Sequence, residues 1–408
     1  MIYAAIMGHG VVGSGAAEIL EESRTQIGEK IKDDLVLKYI LDLRDFPDTP
    51  YHEKFTKDFS AILNDPDVKI VAEAMGGLHP AYDFVKQCLL AGKSVVTSNK
   101  ELVAAKGYEL LKIAAEKNVN FLFEASVGGG IPILRPMAQC LSANRIDDVI
   151  GILNGTTNYI LDKMVVDSMS FDDALKLAQD NGFAEKNPAA DIEGHDACRK
   201  ICILAALAFG KHVYPEQVKT EGITAITAED VEYAETFNAV IKLIARAKRN
   251  ADGTVSAYVR PTVIPRDNIL ANVNGVNNAV TVIGDRTGAV LFYGKGAGKF
   301  PTASAVVADM MDCAKHLAAR KYLGWEDGYD GYITDSNEPE RFYVTAHADD
   351  FCKLCDEITT AFPEEMPIVK SSTSGTVTFL TPPLSEQRLN ETVGKLSADS
   401  IKIFHTLF

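Results

Sequence analysis

Residues 2–13 read Ile2-Tyr3-Ala4-Ala5-Ile6-Met7-Gly8-His9-Gly10-Val11-Val12-Gly13. The apolar run Ile2–Met7 predicts a short buried strand, and Val11–Glu22 has the spacing of an amphipathic helix. Between them lie three glycines in the order G-x-G-x-x-G, the context in which that motif signals a dinucleotide-binding turn. Glycine at 8 permits the tight turn, glycine at 10 lets the backbone approach a pyrophosphate, and glycine at 13 lets helix and strand pack closely. The free N–H groups and the positive helix end favour an anion there. Gly8, Gly10, Val11, Val12 and Gly13 are therefore candidate cofactor contacts.

Working outward, further strands are expected at Leu35–Leu43, Ile70–Ala74, Ser94–Thr97 and Asn120–Glu124, with helices near 80–91 and 102–117. Strands alternating with helices indicate an α/β fold with a doubly wound parallel sheet. The second strand ends Leu41-Asp42-Leu43-Arg44-Asp45. An acid here binds the ribose hydroxyls of NAD and an arginine binds the extra phosphate of NADP, so the presence of both leaves the choice open. Asp42 falls 34 positions after Gly8, which calls for a longer helical connection than the usual ~20 residues.

The middle third reads as a separate helix-plus-sheet domain. Helices are expected at Ile131–Ala143, Thr157–Val166, Asp172–Asn181 and Asp196–Phe209, and strands at Val255–Pro261, Ala279–Ile283 and Ala289–Tyr293. A glycine-rich loop, Tyr293–Gly298, leads into a helix expected from Thr302 to Tyr322, and Gly324–Glu340 reads as a linker. The remaining chain runs strand, helix, strand, strand, helix, strand, the order of a split βαβ, ferredoxin-like module.

A net charge of -15 over 408 residues lacks the basic footprint of a nucleic-acid binder. Seven scattered cysteines argue against a disulfide framework. Cys352 and Cys355 form C-x-x-C, but helical spacing explains them as apolar positions on one face. No basic n-region precedes the first strand, and no apolar run approaches the ~20 residues that span a bilayer, so a cytoplasmic protein with no membrane partner is expected.

Several stretches carry chemistry. Ser94–Glu101 (SVVTSNKE) ends a buried strand in polar residues at the sheet's carboxyl edge, which makes Lys100 either a contact to substrate or cofactor or a helix-start lysine in solvent. Glu124–Pro132 (EASVGGGIP) ends another strand in a triple-glycine loop, where carbonyls can face a cation or a hinge can form. The densest set is Gly182–Lys200. Asp196 and Lys200 are four apart on a helix and share a face. Two carboxylates, Glu185 and Asp196, near a lysine suit a zwitterionic substrate, with the lysine exchanging a proton.

GHGVVG, the A-M-G-G at Ala74–Gly77, VVTSNKELVA, EASVGGGIPI, ILNGTTNYIL at Ile152–Leu161, DIEGHDACRK and GKGAGKFPTASAVVADM together resemble homoserine dehydrogenase, over residues 1 to about 320. The resemblance implies an NAD- or NADP-linked interconversion of L-homoserine and L-aspartate 4-semialdehyde, on the route to threonine, methionine and isoleucine. It implies Lys200 as the proton donor, Lys100 as a contact to substrate and nicotinamide, and Glu185, Asp196 and Asp191 as substrate-binding acids. Arg44, Met75, Gly76, Ser98 and Gly296 join the cofactor contacts. Glu124 with the carbonyls of Val127, Gly129 and Ile131 matches a structural sodium site. The implied architecture is a Rossmann-type domain over 1–127, with about 294–322 returning to it. A substrate and dimerisation domain covers 128–293, and an ACT-like module covers 340–408. A homodimer or homotetramer is expected.

Two departures stand out. The family's A-E-x-D-P reads Ala184-Glu185-Lys186-Asn187-Pro188, and the glycine usual after the aspartate of an ACT module's first strand is absent from Asp349-Asp350-Phe351-Cys352. Rival readings are an aldehyde dehydrogenase that acylates a cysteine, for which no cysteine has the right setting, and a silent nucleotide-binding sensor, which would not need Lys100, Glu185, Asp196 and Lys200 together.

Overall fold

The computed structural model describes residues 1–319, 323–336, 338–363, 367–371 and 374–408. Its first sheet has six strands in the order Phe55–Thr56, Leu35–Leu41, Ile2–Met7, Val68–Glu73, Ser94–Thr97, Phe121–Leu122, and every pairing is parallel. The central strands are mostly apolar because both faces are covered, with charges confined to Lys38, Lys69 and Glu73. Ala4 and Ile6 face Ala16, Ala17 and Leu20, together with Ala303, Val306 and Met310 of the helix Lys299–Lys315. Ala5 and Met7 face the cluster of Val85, Leu89, Leu102 and Leu110. The helix Lys299–Lys315 thus returns to this sheet from late in the chain. It starts earlier than expected and ends at Lys315, short of the expected end at Tyr322, a residue that itself lies outside the described ones.

The opening strand and helix fall at Ile2–Met7 and Val11–Glu22, as read from the sequence. A Cβ on Gly13 would lie 1.9 Å from the Gly8 carbonyl oxygen, so helix and strand touch where only hydrogen fits. Gly8 itself sits at φ +98. A second helix, Arg24–Ile31, supplies the long connection that places Asp42 so late.

The second sheet is mixed. Its order is Gly288–Lys295, Asn277–Gly284, Ile146–Ile152, Ala239–Arg249, Val255–Pro265, Ser400–Thr406, Phe342–His347, Thr376–Leu380, Ile368–Ser371, with Lys219–Thr220 beside Val255–Pro265. Two of its central strands are not foreseen by the sequence reading. The expected helix Ile131–Ala143 shortens to Leu134–Gln139, and Ile146–Ile152 follows as a strand whose acids Asp147 and Asp148 interrupt the apolar run. Ala239–Arg249 alternates Ile241, Leu243, Ala245 and Ala247 against Lys242, Arg246 and Lys248, a period of two concealed by helix-favouring residues.

The last strands take the split βαβ order, all neighbours antiparallel. Their sheet is not separate. Ser400–Thr406 pairs in parallel with the preceding sheet through Thr262↔His405 and Val263↔Thr406. The expected linker is also docked. Glu326 bridges to Lys211 and Ile333 to Val255, and buried Trp325 donates from Nε1 to His212 Nδ1 at 2.9 Å. Of the C-x-x-C pair, Cys355 is buried and Cys352 exposed, so only one is a core position. Among the described residues no helix is long and apolar enough to cross a membrane.

Asp148 is 5% exposed. It receives Arg246 through Nε at 3.1 Å to both oxygens and through Nη2 at 2.6 Å. Removing one partner of such a pair leaves a buried charge uncompensated. Asp148→Ala should therefore lose about 3 kcal/mol in urea unfolding, and most of it should return in Asp148→Leu/Arg246→Met.

Candidate active site

The carboxyl ends of the first four strands in the chain build one half of the site. Gly8, Gly10, Asp42, Arg44 and Met75 line a hollow of about 500 Å³ with Lys57, Pro80 and Phe84. The Asp42 carboxylate is fully engaged. It accepts from the His9 backbone N–H at 2.8 Å, from the Arg44 backbone N–H and Nε at 3.0 Å each, and from Arg44 Nη2 at 2.9 Å. The Arg44 guanidinium, then these backbone donors, hold Asp42 well below the usual carboxylate range despite its burial. Gly76 is close by but turned inward: its N–H and that of Met75 donate to Glu73 Oε1 at 3.2 and 2.8 Å. Thr97 donates to Glu73 Oε2 at 2.5 Å. Glu73 thus shapes the 74–77 turn, and burial pushes its carboxyl upward.

A cleft of about 700 Å³ continues from Val11, Val12 and Ser98, past Gly129 and Gly296, to Lys100, Glu185, Asp191, Asp196 and Lys200. Asp196 is its charge centre. It stands in the first turn of the helix His195–Phe209, where a carboxylate is favoured by the helix dipole. Lys200, one turn on, donates from Nζ to Asp196 Oδ2 at 2.7 Å and to the Leu153 carbonyl at 2.8 Å. Lys100 comes from the N-terminus of a helix on the first sheet and reaches Asp196 Oδ1 at 2.8 Å. Burial pushes the Asp196 carboxyl up, but the ammoniums of Lys200 and Lys100 outweigh it and keep the group ionised well below the usual range. Burial lowers Lys200, against the pull of Asp196, while Asp196 raises Lys100.

Asn154 ties the acids together. Its Nδ2 donates to Asp191 Oδ1 at 2.7 Å and to Asp196 Oδ2 at 2.8 Å, while its Oδ1 caps the helix Gly155–Val166 through the Thr157 N–H at 2.8 Å. The sequence reading gave Asn154, like Glu73, no task. A cap residue at the N of N-G-T-T-N-Y was the available signal, but it does not say that the other end of the amide bridges two carboxylates. Asp191 is raised by burial, an effect that Asn154 opposes.

The remaining expected residues fall in two groups. Glu185 stands on the exposed rim of the cleft, and its carboxylate makes no hydrogen bond or ion pair among the described residues. Glu124 is buried outside the cleft and accepts from the N–H groups of Ile133, Leu134 and Arg135 at 2.6, 2.9 and 2.7 Å, holding the start of Leu134–Gln139. Asp309, in ion pair with Arg135, accepts the Glu124 N–H at 2.8 Å. Val127 and Ile131 are buried beside Glu124's segment, and Gly129 reaches the cleft wall.

A dinucleotide turn opening onto a buried lysine–aspartate pair is the arrangement of a pyridine-nucleotide-linked oxidoreductase. Comparisons with known proteins narrow the class. The family sequence model described as "Homoserine dehydrogenase, NAD binding domain" matches residues 8–124, and that described as "Homoserine dehydrogenase" matches 132–311. The homoserine dehydrogenase of Synechocystis sp. is 46% identical over 75% of this chain and 72% of its own. That of Bacillus subtilis is 37% identical over 88% of this chain and 84% of its own. The crystal structure of a homoserine dehydrogenase from Thiobacillus denitrificans superposes with a TM-score of 0.90 at 35% identity, over 99% of this chain and 98% of that one. A hyperthermophilic archaeal homoserine dehydrogenase in complex with NADPH gives 0.64 at 27% identity, over 76% of this chain and 97% of that one. The chain belongs to the homoserine dehydrogenase family, and is an NAD(P)-dependent oxidoreductase acting on a CH–OH group.

Removing the Asn154 amide would leave Asp191 and Asp196 facing each other without their shared donor. Asn154→Ala removes both charge-assisted hydrogen bonds and should raise KM for the amino-acid substrate at least about tenfold, with cofactor KM unchanged in steady-state assays.

Proposed function

We propose that the chain interconverts L-homoserine and L-aspartate 4-semialdehyde, in the biosynthesis of threonine, methionine and isoleucine, with Lys200 as the proton-transfer group. The observation that carries this reading is the Lys200 ammonium, 8% exposed and facing the cleft that the dinucleotide turn also lines. An ammonium has three donors. Two are used by Asp196 and Leu153, which leaves one for a substrate oxygen. When bound, the nicotinamide supplies or accepts the hydride. Lys200 gives its proton to the aldehyde oxygen in reduction and takes it from the hydroxyl in oxidation, and its burial eases that exchange. Lys100 steadies Asp196 from the other side and meets substrate beside the nicotinamide. Glu185 and Asp191 hold the substrate ammonium; the unpartnered carboxylate of Glu185 on the rim suits that task.

The cofactor reading is NADP. All four acceptor positions of Asp42 are occupied by protein donors, so none remains for ribose hydroxyls. Arg44 and Lys57 line the same hollow with positive charge suited to a ribose phosphate. Gly8, Gly10, Val11, Val12, Gly13, Met75, Gly76, Ser98 and Gly296 complete the cofactor contacts.

A structural sodium ion fits Glu124 with the carbonyls of Val127, Gly129 and Ile131. Those carbonyls accept no hydrogen bond among the described residues, and three N–H groups leave Glu124 one of about four acceptor positions. The ion would brace the turn between the two sheets.

The working unit we infer is a homodimer or homotetramer, since Gly288–Lys295 and Ile368–Ser371 end the second sheet as edges. The division is a dinucleotide domain over 1–127 with 294–322 returning, a substrate domain over 128–293, and an ACT-like module over 340–408 that serves assembly.

Lys200→Ala should lower turnover by about 10²–10⁴ with cofactor affinity within twofold by fluorescence titration; near-normal turnover would overturn the assignment. Arg44→Ala should lower kcat/KM with NADP about 10- to 100-fold, the value of one charge-assisted contact, and keep or raise that with NAD, because it frees the two Asp42 acceptor positions that Nε and Nη2 occupy. An equal loss with both would remove the NADP reading.

A further inference from the structure

The Leu153 carbonyl that holds Lys200 has a second donor. Asn278, on the strand Asn277–Gly284, donates to it from Nδ2 at 2.7 Å across 125 positions of sequence. Asn278 is 1% exposed, and its Oδ1 has no hydrogen-bond partner among the described residues. The carboxamide is wedged between two glycines of the cleft. A Cβ on Gly296 would lie 2.2 Å from its carbon, and one on Gly155 would lie 3.4 Å from Oδ1.

The backbone leading to Asn278 is also pinned. Asn158 Nδ2 donates to the carbonyls of Val273, Gly275 and Asn277 at 3.0, 3.0 and 3.2 Å. Lys242, buried on Ala239–Arg249, donates to the Val273 carbonyl at 2.8 Å and to Asn158 Oδ1 at 3.1 Å. Gly275 N–H donates to Asp162 at 3.1 Å. Asn278 therefore cannot drift away from Leu153 without dismantling this loop.

We propose that Asn278 is a positioning residue for Lys200: by occupying one lone pair of the Leu153 carbonyl, it fixes the direction from which that oxygen holds the ammonium. The inference rests on Lys200 being the proton-transfer group. A carbonyl oxygen has two lone pairs near the plane of its amide. With Asn278 on one, the ammonium is confined to the other, and its third N–H is aimed into the cleft. Without Asn278 the oxygen is a stronger and less directional acceptor. It then holds the charged form of Lys200 more tightly and points the proton less well. The charged groups facing Lys200 are Asp196 from its own helix, Lys100 from the first sheet and Asp191 from the preceding turn, and none of them changes in this comparison.

The test compares the wild-type enzyme with Asn278→Ala and with Asn278→Leu, which fills the same space without a donor. Lys200→Ala runs in parallel. Both Asn278 variants should lose about 10- to 100-fold in kcat, the scale of a small misplacement of a reacting group, with cofactor KM within twofold. The limb of the kcat–pH profile set by Lys200 should move to higher pH. Melting temperatures should stay within about 4 °C, because Lys200 still satisfies the carbonyl and an unpartnered oxygen is removed. An unchanged kcat and an unmoved limb overturn the proposal, as does a loss of kcat that tracks a lowered melting temperature with the limb in place. If Lys200→Ala keeps its turnover, the underlying assignment of Lys200 fails instead. If one Asn278 variant does not fold, the other decides by the same two readings.

Discussion

A single buried carboxylate organises the reaction centre. Asp196 is 5% exposed and binds one ammonium from each half of the protein, Lys100 from the parallel sheet and Lys200 from the helix over the mixed sheet. An isolated ionised carboxylate would not be tolerated at such a depth. With two lysines and the Asn154 amide around it, the same group stays charged and becomes the point through which the two halves register. Lys200 then sits where burial eases its deprotonation and Asp196 limits that effect. Both influences suit the proton-transfer role proposed for it.

Each half contributes through its own physics. The first sheet brings strand ends and helix starts to one edge, so backbone N–H groups and Lys100 face the same space. The mixed sheet brings carbonyls and amides. Leu153 and Asn154 extend from Ile146–Ile152, which is anchored lower down by Asp148 and Arg246. Most polar groups buried at this depth are satisfied by one another, with Asn278 Oδ1 an exception.

The sequence made the main strands of the first half readable, though not the short strand Phe55–Thr56 or the helices Arg24–Ile31 and Phe59–Leu63. Ile2–Met7, Val11–Glu22 and Ser94–Thr97 have the expected bounds, because parallel strands buried on both faces give uninterrupted apolar runs and the glycine turn marks their ends. Asp196 and Lys200 were legible as a pair from helical spacing alone. The centre of the second sheet was not. Ile146–Ile152 and Ala239–Arg249 carry buried charges whose partners lie about a hundred positions away, as Asp148 and Arg246 do. A local pattern cannot show that such charges are compensated. The same limit hid Asn154, Glu73 and Asn278, whose roles lie in side-chain bonds made across elements. Glu185 shows the converse: its place in a dense motif suggested membership of the charge cluster, but it stands apart on the rim.

The two-residue union of Thr262–Val263 with His405–Thr406 makes the C-terminal segment a continuation of the catalytic sheet. A protein trimmed at the apparent linker would therefore not end cleanly. It would bare the Thr262–Val263 end of Val255–Pro265, beyond the part that Lys219–Thr220 covers, and leave N–H and C=O groups now covered open to another strand. Shortening the chain at that place would leave the rim of the mixed sheet unfinished, so Ser400–Thr406 closes a seam that the residues before the linker cannot close alone.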